Sequence, residues 1–314
     1  MKMSNLTSEG LRQYSPGSPP KSSDVVNQPG YYVLLDALTR PNLERWLYET
    51  LEAPDYELLY LKTPLKECCE VSPCLVAIKG EPALWEAFLK QGANQEWGWL
   101  LYSRTSRQEL LARLRWLLMV HHPVHGEQVL RLASPAVMHS LLNIKGGGSY
   151  TSLFGSVIER AWLPVKDSTS MTWWQVNQSD SLQETGVPTS ASPLTLQEAH
   201  LSALAHVNWQ RFQVSLAKHL HHYFPSGPLI SHHGSTMKAA EQVIATTARL
   251  GFVGQRAHFY MANILGAHGN AALDVDQYPA LAKLLLHPNH QAPMERLKAA
   301  VSLAQQALEQ DDMV

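Results

Sequence analysis

The chain has few cysteines, few charges and no long apolar run, and each shortage removes a class of protein. Its three Cys in 314 residues are Cys68, Cys69 and Cys74. They form no C-x-x-C pair, and any pairing leaves one thiol over. Such usage fits a reducing compartment and no disulfide framework. No stretch of about 18 apolar residues is present, so no membrane span is expected. The start, M-K-M-S-N-L-T-S-E-G, lacks the apolar core of a secretory signal. Together these points predict a cytoplasmic protein. Charged residues make up 17% of the chain and the formal net charge is -2. A general nucleic-acid binder would be basic, so no nucleic-acid partner is expected. There is no internal repeat.

Motifs that carry catalytic chemistry are missing as well. The chain has no G-x-S-x-G and no H-E-x-x-H. Lys145-Gly-Gly-Gly-Ser has its Lys before the glycines and follows a helical pattern, so it reads as a helix end and connector rather than a phosphate loop. Asp36 has no second carboxylate or His at a recognisable spacing and reads as a turn residue. Histidine is the exception to this scarcity, with 15 copies. His121-His122, His219 with His221-His222, and His232-His233 are candidate metal ligands, but their spacing matches no zinc signature. Neighbouring His on a helix point about 100° apart and do not converge on one ion. His219 and His222, three apart, remain a weak chelating pair. A His-rich metal-dependent hydrolase is therefore the alternative, and the main expectation is a non-enzymatic protein with no metal and no cofactor.

The periodicity predicts an α+β chain with two lobes. Met1 to Pro29, rich in Ser, Pro, Gly and Asn, reads as a disordered or loosely packed tail. Strands are expected at Tyr31–Ala37, Tyr56–Leu61, Cys74–Lys79, Trp97–Ser103 and Val129–Ala133. Helices should follow Arg40-Pro41-Asn42, Pro82, Ser106 and Ser134. Ser106 with Glu109 is a capping box. Leu110, Leu111, Leu114, Leu117 and Leu118 then recur at helical spacing, and Pro123 should end that helix. Ser134-Pro135 is an N-cap followed by Pro at the first helical position. This alternation predicts, over residues 30–176, a mixed α/β lobe with a central sheet flanked by helices. Phe154–Leu163 and Thr172–Val176 are weaker strand candidates. Asn177 to Pro193 reads as a linker. Residues 194–314 should form an all-α lobe, opening on a Thr195/Glu198 capping box and a long helix to about Phe224.

Several short motifs in the first lobe resemble one family. They are Y-x-L-L-D-A at Tyr32–Ala37, L-Y at Leu59-Tyr60, P-x-L-V at Pro73–Val76 and the pair Trp97-Gly98. After these come L-x-x-L-R-x-L-L at Leu111–Leu118, which holds Leu114 and Arg115, the turn at Gly126, and a strand with Arg131 before the helix at Pro135. In this order they resemble the type VI secretion adaptors, or effector chaperones, long labelled a domain of unknown function. Ser134 and His125 depart from the acidic residues usual at those places, although both can still cap or turn.

The resemblance implies a cytoplasmic adaptor that binds a toxic effector and helps load it onto the VgrG spike, directly or through that effector. A structural baseplate component of the same machine is a further alternative. Trp173, Trp174 and Arg131 are the candidate partner contacts, because aromatic and Arg side chains anchor interfaces.

Overall fold

The computed structural model describes residues 13–144, 153–166, 170–177, 193–287 and 290–311. It divides into two compact units, Met1–Val207 and Asn208–Val314. The first is α/β and the second is helical, as the sequence predicts.

The first unit is built on seven strands: β1 (Gln13–Gly17), β2 (Tyr31–Leu35), β3 (Tyr56–Leu58), β4 (Cys74–Ala77), β5 (Gly98–Tyr102), β8 (Arg160–Lys166) and β9 (Met171–Asn177). Their order across the sheet is β1-β9-β8-β5-β2-β4-β3. Every pairing in this sheet is antiparallel. A smaller sheet joins β6 (Met119–His122) and β7 (Gly126–Val129) as a hairpin, with β10 (Leu194–Thr195) parallel to β6.

Both faces of the large sheet are covered, so its central strands are apolar at successive positions rather than alternating with polar ones. On one face lie Leu34, Leu75, Trp99, Leu101 and Leu163. They pack against α4 (Arg107–Leu118) and α5 (Pro135–Leu142). On the other face lie Tyr31, Val33, Leu35, Val76 and Leu100, against α1 (Ser22–Asn27), α2 (Leu43–Thr50) and α3 (Pro82–Ala87). The period-two geometry of a strand sends Leu34 to one core and Val33 with Leu35 to the other.

Helix α4 begins as expected. The Ser106 side chain accepts from the Glu109 amide and the Glu109 carboxylate accepts from the Ser106 amide. It ends earlier than Pro123 would require. Met119 is already extended, and Met119–His122 leaves as a strand of the hairpin whose turn is closed by Gly126 at φ +70°. The strand expected at Val129–Ala133 stops at Val129, because Leu130 to Ser134 forms a tight turn with backbone bonds from Leu132 to Leu130 and from Ser134 to Arg131. Strand β3 is likewise short and passes into a 3-10 turn at Leu59–Lys62.

The expected tail needs correction over its described part. Residues 13–17 pair with β9 at the sheet edge, and α1 buries Val25 fully. Polar composition hid two anchors, Tyr14 and Val25. The lobe boundary also shifts. Helix α6 (Glu198–Tyr223) begins inside the first unit, where Leu201, Leu204 and Val207 join the core of α4 and α5. Its start is capped by His200, whose Nδ1 accepts from the Gln197 amide, while Leu194–Thr195 is a strand. The expected Thr195 box thus sits two residues too early. Asn177 ends β9, and residues 178–192 of the expected linker lie outside the described residues, as does Lys145–Gly148.

The second unit holds the rest of α6, α7 (Pro228–His233), α8 (Thr236–Arg249), α9 (Gln255–His268), α10 (Pro279–Leu286) and α11 (Pro293–Asp311). Phe212, Leu216, Leu220, Met261, Ile264, Leu265, Leu281 and Leu297 form its core.

Candidate functional site

Three of the motif residues, Asp36, Trp97 and Arg131, meet at one end of the large sheet. Asp36 follows the last residue of β2 and is 3% exposed. Its amide donates to the Trp97 carbonyl at 2.6 Å, which ties the end of β2 to the start of β5. Its Oδ1 accepts from the Leu38 amide at 2.9 Å, an Asx turn. Its Oδ2 accepts from Arg131 Nε at 2.8 Å. The Asp36 reading as a turn residue therefore holds, and the carboxylate also takes an ion pair 95 residues away. Arg131 remains about a third exposed at its side chain. The pair spans the sheet end and the turn after β7. Tyr60, half-buried close by, has its hydroxyl pKa raised by burial and then by the Asp36 charge.

The same edge carries Arg40. Its amide donates to the Asp36 carbonyl at 3.0 Å. Its guanidinium carbon lies 5.1 Å from the Trp46 ring centre and 5.1 Å from that of Trp97. The two indoles meet edge-on at 5.2 Å. Trp97 is buried and anchors its own Nε1–H on Gln95. Beside this cluster Leu38 is 56% exposed.

Other motif residues serve the frame. At Gly98 the backbone of β2 passes so close that a Cβ would meet the Leu34 carbonyl carbon at 2.8 Å and the Leu35 Cα at 3.0 Å. Leu114 is fully buried. Arg115 donates to Glu57 at 2.7 Å and to the Leu59 carbonyl at 3.1 Å, tying α4 to β3. The Pro73 carbonyl accepts from the Leu59 amide. Pro135 is the first residue of α5, and the Ser134 hydroxyl accepts from the Val137 amide.

The two candidate tryptophans part company, because neighbours on a strand point to opposite faces. Trp173 is 8% exposed and packs edge-on against Phe88 in the core under α1, α2 and α3. As it stands, it has little surface to offer a partner. Trp174, on the other face, is stacked by Tyr14 at 5.1 Å and meets the His139 ring at 4.7 Å. The Tyr14 hydroxyl and His139 Nδ1 share a short hydrogen bond. Burial pushes the His139 pKa down to about 4.

The histidine clusters are used locally. His122 Nδ1 accepts from the Val124 and His125 amides within the hairpin turn. His219 Nε2–H donates to Asn263 Oδ1 at 2.6 Å, at the mouth of a groove of about 400 Å³ lined by Tyr223, Ala267, Val301 and Leu308. Among the described residues, no three His, Cys, Asp or Glu side chains are grouped to hold a metal ion. The three cysteines are free, and burial pushes the Cys74 thiol pKa up. No helix among the described residues is long and apolar enough to cross a membrane.

Residues 31–146 match the family model described as a domain of unknown function (DUF4123). They span β2 to the end of α5 and contain every motif position named above. The matched residues are the ones whose motifs resemble the type VI secretion adaptors, and match and resemblance together link the chain to type VI secretion. Strands β1, β8 and β9 lie beyond the match. Over 283 residues the chain is 27% identical to Accessory protein VasW of Vibrio cholerae serotype O1 (strain ATCC 39315 / El Tor Inaba N16961), covering 90% of each chain. No solved structure matches.

Proposed function

We propose that this protein is a cytoplasmic adaptor that binds one type VI effector and helps to load it onto the VgrG spike, acting by recognition and not by catalysis. The observation that carries the reading is the DUF4123 match over the sheet end where Asp36 and Arg131 meet. The similarity to VasW along 90% of both chains supports extending it to the helical unit. A recognition role also suits the geometry of that end. A partly exposed Arg and an exposed Leu are held in turns tied to the sheet end by Asp36, and preorganised anchors bind with little ordering cost.

The test is deletion of the gene in a strain that kills through its type VI machine. Delivery of one toxin should stop while other cargo is still secreted. The tagged protein should co-purify with that toxin. Killing by every toxin left intact would refute the adaptor role. Loss of all secretion would place the protein in the machine's own structure.

A further inference from the structure

The Arg40 guanidinium is the unusual group on this surface. It lies against two indoles, Trp46 and Trp97, at equal distances. Its Nε is buried without a hydrogen-bond partner. Among the described residues no carboxylate forms an ion pair with it; of the two acids four residues away, Asp36 pairs with Arg131 and Glu44 accepts from the Tyr56 hydroxyl. Several other Arg side chains of this unit are paired with carboxylates: Arg104 with Glu159, Arg107 with Asp55 and Arg115 with Glu57. The Asp36–Arg131 pair is neutral as a unit, so it does not offset the Arg40 charge. Stacking on aromatic faces fixes the plane of a guanidinium and leaves its fork free for two parallel bonds to one carboxylate.

We infer that Arg40 is a docking residue for an acidic side chain of a protein partner, seated with an aliphatic neighbour against Leu38. Charge complementarity selects the carboxylate. The apolar contact follows from Leu38, which is 56% exposed and whose amide is held by Asp36. The partner's chemistry is thus a short segment with Asp or Glu beside Leu, Ile or Val. This inference rests on the adaptor reading and specifies its contact surface. Trp46 and Trp97 are positioning residues, since they orient the fork and do not themselves bond the carboxylate.

The experiment begins from the toxin that co-purifies with the full-length protein. Overlapping 15-residue peptides covering that toxin are titrated against wild type, Arg40→Gln and Arg40→Lys. The tightest-binding peptide is also made with each Asp or Glu replaced by its amide. Arg40→Gln should weaken the acidic peptide on the order of ten-fold or more, as expected for a desolvated charge-assisted bond. The amide peptide should lose a similar factor on wild type and show little further loss on Arg40→Gln. Arg40→Lys keeps the charge but neither the planar stacking nor the fork, and should fall between them. It serves as the folded comparison if the Gln variant melts early. Equal binding of the acidic peptide by all three proteins would overturn the inference. So would a tightest peptide with no acidic residue. Absence of any co-purifying toxin would instead strike the adaptor reading itself.

Discussion

Gly98→Ala should damage the first unit more than any other single-methyl change in the sheet. Gly98 stands opposite Leu35 in the β2–β5 ladder. An added Cβ would sit 2.8 Å from the Leu34 carbonyl carbon and 3.0 Å from the Leu35 Cα, and nearer still to the Leu34 carbonyl oxygen. These are backbone atoms of a central strand paired on both sides. No side-chain rotation relieves the clash, so the strands must separate. Separation strains the Leu35–Gly98 pairing and the 2.6 Å bond from the Asp36 amide to the Trp97 carbonyl. Overpacking costs about 1–3 kcal/mol where side chains can yield. With backbone on both sides the upper end applies, about 3 kcal/mol from a total of roughly 5–15. For a unit of this size the melting midpoint should fall by about 6–12 °C. Thermal unfolding followed by circular dichroism, with a urea series for the free energy, reads the change. A variant melting within about 1 °C of wild type would refute the close approach of β2 and β5 that the argument depends on.

Leu114→Asp buries a carboxylate with no partner in the core under α4 and α5, and should cost several kcal/mol and leave the protein insoluble or unfolded. Trp173→Ala should destabilise by about 3–5 kcal/mol, as for a core aromatic, whereas Trp174→Ala should chiefly loosen β1, seen as faster amide exchange at Tyr14, Ser15 and Gly17. Because burial holds His139 near 4 instead of the usual 6.5, the unfolded chain takes up the proton first. Its contribution is complete above pH 6.5 and is lost as pH falls toward 4, by no more than about 3 kcal/mol. Urea unfolding between pH 7 and 4.5 should show that slope in wild type and a shallower one in His139→Phe, while equal slopes would remove His139 as the cause.

Sequence alone determined whatever is local or periodic. Ser106 and Glu109 announced the start of α4, and Ser134-Pro135 that of α5, because caps act within one turn of the chain. The leucines from Leu110 to Leu118 announced a buried face. The order of short motifs from Tyr32 to Pro135 announced the family. Tertiary structure decided what depends on contact across distance. Tyr14 became an edge-strand anchor only because β9 and α5 bring Trp174 and His139 to it. The helix after Ser106 stopped at Leu118, not Pro123, because β7 offered Met119–His122 a ladder of hydrogen bonds. Trp173 and Trp174 look alike in sequence, and the strand's two-residue period separated them onto different cores. The sheet end behaves in the same way. Asp36 and Arg131 lie 95 residues apart, so no spacing rule pairs them. Arg40, read only as part of a helix start, became a charged fork between two indoles because Trp97 arrives from another strand. Its free charge is a property of the assembled surface, since it depends on which carboxylates the fold has already used.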